Sequence, residues 1–338
     1  MTQKDCGSRL RQLSSLVGNT PLLAIQLRYR GKKRTLYAKA EYLNMTGSIK
    51  DRMAYNIMAC GYERQTLIPG APIIEVTSGN TGISFAAMGQ ALDHPVTILM
   101  PDWVSQERAM LLRGYGAELI FFSKEEGGFK TGISRAEELA GATANAFLPA
   151  QFANEDNSEA HYLTTGPEIW QQLQANALSP DAFVAGVGTG GTIMGVARFL
   201  RERNPAAKIH PIEPKGFPLK PTDSKEDGHR IEGLSDGFLP PLLHLDFLDG
   251  MVQVDDGDAI LMAQKLAGQL GIGVGISAGA NLLGALQVQE ELGGEAVVVT
   301  VFADDNRKYL STDLFREVAP QDGFLTPEVS LLSLKSFP

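Results

Sequence analysis

The chain of 338 residues is 43% hydrophobic, with 36 glycines and a formal net charge of −9, which supplies apolar material for one large or two medium α/β domains. An acidic balance with no long basic cluster argues against nucleic acid or an anionic membrane surface as a partner, and no apolar run approaches the roughly 20 residues needed to span a bilayer. Its two cysteines, Cys6 and Cys60, form no spaced set, so neither a disulfide framework nor a metal site is expected, and an N-terminus without the apolar core of a signal peptide makes the cytoplasm the expected location.

Residues 13–23 carry Val17-Gly18-Asn19-Thr20-Pro21-Leu22, a turn leading into an extended segment. An alternating run over 35–43 predicts a strand. It is followed by Asn44-Met45-Thr46-Gly47-Ser48-Ile49-Lys50-Asp51-Arg52, a polar loop entering a helix over 53–64. The β-branched run 73–77 predicts a strand that breaks at Ser78-Gly79-Asn80-Thr81-Gly82 and continues into a small-residue helix over 83–92. Strands at 96–100 and 117–122 alternate with helices over 105–113, N-capped by Ser105, and 130–140. A second series follows: helix 161–175, strand 182–185, helix 193–203, strand 208–213, a polar proline-rich loop over 214–228 and a short extended run at 251–254. Asp255-Asp256 caps a helix ending near residue 270, another helix opens at 276–280, and 296–302 reads as a fully buried strand. Strand and helix alternating at this spacing predict parallel sheets covered on both faces. Two α/β domains with the ligand cleft between them is the economical architecture.

Four loops carry the chemistry, each where a chain segment enters a helix. Lys50, taken alone, reads first as ordinary solvated charge, and it is the other three loops that single it out. The run Gly186-Val187-Gly188-Thr189-Gly190-Gly191-Thr192 lets backbone N–H groups approach an anion closely, in front of a helix N-terminus. It is not a Walker loop, since no Gly-Lys-Ser/Thr ends it. It does satisfy Gly-x-Gly-x-x-Gly from Gly186 to Gly191, with Glu213 ending a later strand, so a nicotinamide-dependent dehydrogenase stays open as an alternative. The cluster Thr77-Ser78-Gly79-Asn80-Thr81 suits a carboxylate or a phenolic oxygen, against a plain N-cap. Ser277 stands at a helix start and is also explicable as a cap. The five histidines, His94, His161, His210, His229 and His244, lack metal-ligand spacing and are expected on the surface or behind the site.

Ordered matches along almost the whole chain make it similar to the cysteine synthase (O-acetylserine sulfhydrylase) and cystathionine β-synthase family of fold type II pyridoxal-phosphate enzymes. The segments that carry the resemblance are 16–22, 44–52, 77–82, Gln151-Phe152, Thr164-Thr165-Gly166-Pro167-Glu168-Ile169-Trp170, 188–192, 233–240, 275–279 and 307–312. The resemblance implies two three-layer α/β domains with mostly parallel sheets, like the tryptophan synthase β-subunit, and the cofactor in the cleft between them. A large domain would comprise 1–40 and 154–338, and a smaller, mobile one 41–153 would carry the Lys50 and Asn80 loops. By the same resemblance Lys50 would form the internal aldimine with pyridoxal 5'-phosphate, and Gly188, Thr189, Gly190, Gly191 and Thr192 would cradle the phosphate. Asn80 would bond the ring hydroxyl oxygen, Ser277 would face the pyridine nitrogen, and Thr77, Ser78, Thr81 and Gln151 would hold the substrate α-carboxylate. A neutral serine at the ring nitrogen suits β-elimination over transamination, and Lys50, once displaced, would take the α-proton and later return it. Burial and a cationic aldimine nearby would lower its pKa. The expected reaction is β-replacement on an O-activated L-serine through an aminoacrylate. O-acetylserine plus sulfide giving L-cysteine leads; cystathionine or another β-substituted alanine from serine or O-phosphoserine is the same-chemistry alternative, and a catalytically silent binding relative the alternative from another class. Expected partners are the amino-acid substrate, sulfide or a thiol, and a second copy in a homodimer.

The match loosens at Met45 and Thr46, where the family has proline and often glycine, and in Gly233-Leu234-Ser235-Asp236-Gly237-Phe238, where sulfhydrylases carry Gly and Ala in place of Ser235 and Asp236. Asp236, in a segment lining the active-site mouth, is expected to disfavour a phosphorylated donor by like-charge repulsion, against a plain solvent-facing carboxylate. The tail 316–338 is too short for the tandem regulatory domain of animal cystathionine β-synthases, and the N-terminus lacks a haem-binding extension, so unregulated β-replacement is expected.

Overall fold

A computed structural model of the chain describes residues 3–219, 228–235 and 237–338; Asp236 therefore lies outside the described residues. The elements run α1 (Gln3–Leu13), β1 (Leu22–Tyr29), β2 (Lys32–Lys39), α2 (Lys50–Glu63), β3 (Ile73–Val76), α3 (Asn80–Ala91), β4 (Val96–Pro101), α4 (Gln106–Gly114), β5 (Glu118–Phe122) and α5 (Gly128–Ala142). They continue α6 (Glu155–Ala160), α7 (Gly166–Gln174), β6 (Ala182–Gly186), α8 (Gly191–Arg203), β7 (Lys208–Pro214), β8 (Val252–Val254), α9 (Asp256–Leu270), α10 (Ile276–Leu292), β9 (Val298–Val301) and β10 (Val329–Phe337). The strands form two sheets, a three-stranded one in the order β3-β4-β5 and a seven-stranded one in the order β10-β1-β2-β9-β6-β7-β8. All pairings in the small sheet are parallel, as are those from β2 to β8 in the large one; only β1 pairs antiparallel, with β2 and β10.

Each sheet is covered on both faces, which gives the α/β three-layer arrangement. In the large sheet, Ala182, Val184 and Val298 face a core with Ile260, Met262 and Leu266 of α9 and Leu282, Leu283 and Leu286 of α10. Phe183, Ala185 and Val299 point the other way, onto Ile169 and Leu173 of α7 and Ile193, Val196 and Leu200 of α8. Two-sided burial is why strands such as β6 (Ala-Phe-Val-Ala-Gly) and β9 (Val-Val-Thr-Val) read as continuous apolar runs rather than alternating ones. The small sheet packs Ile73, Ile98 and Met100 against α2 and α3, and Ile74, Val76 and Leu99 against Phe129 and Ala136 of α5.

Local signals set several boundaries. The Asp255 side chain accepts from Gly257 N at the start of α9, the N-cap that the sequence predicts, and the helix ends at Gly271, whose φ of 69° suits a glycine. Three expectations change. The helix expected over 161–175 is interrupted by a π-helical turn, His161–Thr165, between α6 and α7. Pro167 has no N–H to donate at that point, and a Cβ at Gly195 of α8 would meet Ser158 O at 2.1 Å, so backbone packs directly on this stretch. The strand expected over 35–43 starts earlier and gives way to a 3₁₀ turn at Glu41–Leu43. The segment read as a tail holds β10, registered on β1 from Leu22↔Phe337 to Tyr29↔Val329. Most of its side chains face solvent, so it lacks the apolar pattern of an interior strand. Among the described residues, no helix is long and apolar enough to cross a membrane.

Candidate active site

The loops singled out in the sequence converge on one cleft that is open to solvent. Lys50, Thr77, Ser78, Asn80, Thr81, Gln151, Gly188, Thr189, Thr192 and Ser277 all line it. Convergence follows from the topology, because parallel strands deliver their following loops to the same sheet edge.

The Lys50 loop is pinned from two sides. Ile49 N donates to Ala303 O at 2.8 Å, and Ser48 forms an antiparallel bridge with Asp304. Gly47 has φ 78°, and a Cβ there would meet Asp305 Oδ2 at 2.2 Å, so the tight approach requires glycine. Asp51 then ties the loop to α3: its carboxylate accepts from Thr46 N and Thr46 Oγ1 at 2.7 and 2.6 Å, and from Ser84 Oγ at 2.6 Å. Lys50 is the first residue of α2, and its N–H donates to Ser48 Oγ at 3.3 Å.

The loop between β3 and α3 turns at Gly79, φ 153°, where a Cβ would meet Arg108 Cδ at 2.4 Å. Thr77 Oγ1 accepts from Gly79 N at 3.0 Å. Thr81 Oγ1 donates to Gln151 Oε1 at 2.6 Å, and Gln151 Nε2 donates to Val76 O at 2.6 Å. Beneath them Glu75 is fully buried, accepting from Val76 N at 2.8 Å and Gln151 N at 3.1 Å. Burial pushes its carboxyl up to about 8, against the pull of those two N–H groups.

The glycine run opens α8. Gly188 and Thr192 reach the cleft, whereas Gly190 and Gly191 lie beneath its surface. Gly190 adopts φ 87°, and a Cβ on Gly191 would meet Asn157 Oδ1 at 2.0 Å. Asn157 in turn donates to Thr189 Oγ1 at 3.0 Å and to Gln151 O at 2.8 Å, so one amide joins the glycine loop to the Gln151 segment. Thr192 Oγ1 lies 3.2 Å from His161 Nε2. Burial, reinforced by the cations of Arg52 and Lys50, pushes His161 down to about 3, which keeps it neutral. Three of the five histidines, His94, His161 and His210, are in fact buried; both ring nitrogens of His94 and of His161 lie within hydrogen-bonding distance of protein groups, as does Nδ1 of His210.

Sequence reasoning missed the other half of the wall. Arg108, Glu232, Asp304 and Tyr309 also line the cleft. Arg108 is 1% exposed, ion-pairs with Glu232, donates to Ser78 O at 3.3 Å and lies 4.8 Å over the Tyr309 ring. Arg108 reads as solvent-facing charge on a short helix, and its partners lie far along the chain; only its place in the segment before the match at 233–240 hinted at Glu232. Glu213, the acid of the dehydrogenase alternative, is already engaged, accepting from Leu219 N at 2.8 Å and Gln253 Nε2 at 2.9 Å.

Behind Lys50 is a buried ionic knot that accounts for many of the remaining motif residues. Arg52 pairs bidentately with Glu41 (2.6 and 2.7 Å) and with Glu168 (2.7 and 2.7 Å). Lys39 Nζ lies 2.7 Å from Glu168 Oε2, Thr20 Oγ1 donates to Glu41 Oε1 at 2.7 Å, and Asn44 Nδ2 donates to Glu41 Oε2 at 2.8 Å. Burial alone would raise the Glu41 carboxyl, but Arg52, with Lys39 and Thr20, overrides it and holds it at about 2. That value lies below the unfolded 4.5, so the contribution to stability is complete above pH 4.5 and is lost as pH falls towards 2. The urea midpoint is expected to drop steeply through that window, and Glu41→Gln, already weaker at neutral pH, to show a flatter acid slope; equal slopes in the two proteins would contradict the assignment.

The wall fits pyridoxal phosphate. Gly188 presents bare backbone before a helix N-terminus, and a Cβ on it would meet Gly233 O at 2.4 Å. Asn80 and Ser277 bring an amide and a neutral hydroxyl to the same wall, and Lys50 supplies an amine for an aldehyde.

Comparison with known proteins agrees. The family model for pyridoxal-phosphate dependent enzymes matches residues 13–304. A probable cysteine synthase of Bacillus subtilis (strain 168) is 39% identical over 302 residues, covering 89% of this chain and 96% of that protein. A hydrogen sulfide-producing enzyme from Fusobacterium nucleatum superposes with a TM-score of 0.93 at 51% identity, over 97% of this chain and 98% of that one. A mutant of that enzyme, complexed with an alpha-aminoacrylate intermediate, gives 0.94 at 51% identity over 96% and 97%. An O-acetylserine dependent cystathionine beta-synthase from Helicobacter pylori gives 0.81 at 34% identity over 90% and 98%.

Proposed function

The chain belongs to the pyridoxal-phosphate dependent enzyme family, and from that premise we propose that it performs β-replacement on an O-activated L-serine, with O-acetylserine and sulfide giving L-cysteine. The observation that carries the reading is the convergence of Lys50, the Asn80 loop, the 188–192 loop and Ser277 on one cleft. Pyridoxal phosphate, when bound, supplies an electron sink for the α-carbon of an attached amino acid. In this reading Lys50 Nζ holds the aldehyde carbon and, once displaced, takes the α-proton and returns it. The backbone N–H groups of 188–192, at the positive end of α8, take the phosphate. Asn80 donates to the ring oxygen, and the neutral hydroxyl of Ser277 stands at the ring nitrogen. Ser78, Thr77 and the free N–H of the Gln151 amide take the α-carboxylate. Thr81 supports them by orienting Gln151, since its hydroxyl already donates there at 2.6 Å. The unit 41–153 is proposed to shift against the rest as substrate enters, and the working form to be a cytoplasmic homodimer.

A second reading runs in the opposite sense, with sulfide leaving cysteine. It is favoured by the 51% identity to a hydrogen sulfide-producing enzyme, against 39% to the cysteine synthase. One experiment separates the two: the loaded protein is given acetylserine with sulfide, or cysteine alone, and initial rates of cysteine formation and sulfide release are compared. Faster cysteine formation supports the first reading and faster sulfide release the second. Neither product, from a protein that binds the cofactor, overturns both and leaves the silent relative.

A further inference from the structure

We propose that Asp304 is a positioning residue that fixes which end of the Asn80 amide faces the cofactor's ring oxygen; this rests on the reading above, in which Asn80 meets that oxygen. Asp304 follows β9, is 1% exposed, and bridges to Ser48 two residues before Lys50. Its Oδ2 accepts from Asn80 Nδ2 at 2.7 Å and from Tyr309 OH at 2.8 Å. An ionised carboxylate can only accept, so the nitrogen end of the amide is drawn towards Asp304, and the second N–H of that nitrogen is left for an acceptor in the cleft. The cost is visible at the other end: Asn80 Oδ1 is buried with no partner among the described residues, so the amide orientation is imposed from outside.

Further contacts hold Asp304 itself. Its backbone carbonyl accepts from Gly275 N at 3.0 Å, and a Cβ at Gly275 would meet Asp304 Oδ1 at 2.1 Å, so the carboxylate lies directly against the bare backbone of that glycine. The charged and titratable groups that act on it are Arg108 from α4, Glu232 from the 228–235 segment, and Lys308 and Tyr309 from the turn at Asn306–Tyr309. Arg108 and Lys308 offset its charge, so what a neutral substitution chiefly removes is the orientation of Asn80. Asp304→Asn is the sharp variant, because an amide at 304 can donate to Asn80 Oδ1 and turn the Asn80 amide over.

The test reads the loaded protein's absorbance, whose long-wavelength band reports an ionised ring oxygen and whose short-wavelength band a neutral one. A lost hydrogen bond to an ionised acceptor is expected to lower the ratio of long to short bands about tenfold, in Asp304→Asn and in Asp304→Ser, with cofactor stoichiometry retained. Made on top of Asn80→Ala, the same substitutions are expected to change the ratio by less than about twofold, since Asp304 acts through Asn80. An unchanged ratio, an equal shift in the Asn80→Ala background, or loss of cofactor binding in both variants would overturn the proposal. If Asn80→Ala alone leaves the ratio unchanged, the role given to Asn80 fails with it; if Asn80→Ala shifts the ratio and Asp304→Asn does not, Asp304 alone is excluded.

Discussion

Lys50→Ala is expected to remove the visible absorbance of the loaded protein and to cut turnover by about 10³-fold or more, while leaving the far-ultraviolet circular dichroism unchanged. The expectation is large because one amine serves as both anchor and proton carrier. No neighbour can substitute for it: Lys39 is buried in the ionic knot, 2.7 Å from Glu168 Oε2, and Lys308 Nζ donates to Gly47 O at 2.8 Å. The fold is expected to persist, because Gly47, Ile49 and Asp51 pin the loop through contacts that the substitution leaves in place. Spectra and initial rates on the same preparation check this. A variant that kept both its colour and its turnover would place the chemistry elsewhere.

Arg52→Ala is expected to have the largest effect on stability. Its guanidinium, 1% exposed, answers two carboxylates at once, and its removal leaves Glu41 and Glu168 with Lys39 as the remaining cation in the knot. Breaking a buried pair by deleting one partner costs about 3–5 kcal/mol, a large share of the roughly 5–15 kcal/mol that keeps a domain folded. Thermal melting should fall by about 10 °C, and cofactor retention should fall with it, since Arg52 sits two residues past Lys50 on α2. Arg52→Lys should recover only part of the loss, because an ammonium cannot make the two forked contacts. A melting temperature within about 2 °C of the native protein for Arg52→Ala would show that the knot is dispensable.

The ionic knot also shows how sequence motifs divide between chemistry and support. Asn44, Arg52 and Glu168 lie in the same matching segments as Lys50 and the 164–170 run, and nothing in the sequence separates the residues that face the cleft from those that hold it. The structure makes the separation: Lys50 lines the cleft, whereas Arg52 and Glu41, two residues and a turn away, are sealed behind it. Gly188 and Gly191 divide in the same way. Both belong to one glycine run, yet Gly188 borders the cleft and Gly191 exists to let Asn157 approach.

By itself the sequence determined the alternation of strands and helices, the two-sided burial of the central strands, and the four polar or glycine-rich loops that stand at helix entries. These are local properties: period, glycine conformations and helix starts are written within a few neighbouring residues. Only the tertiary structure decided that Arg108 pairs with Glu232, that Asp304 meets Asn80, that three histidines are buried, and that Val329–Phe337 forms the edge of the large sheet beside β1. Those partners lie 124 and 224 residues apart in the first two cases. A lone charge or an edge strand carries no mark of its partner, because the choice is made by which groups burial leaves within hydrogen-bonding distance once the sheets have packed.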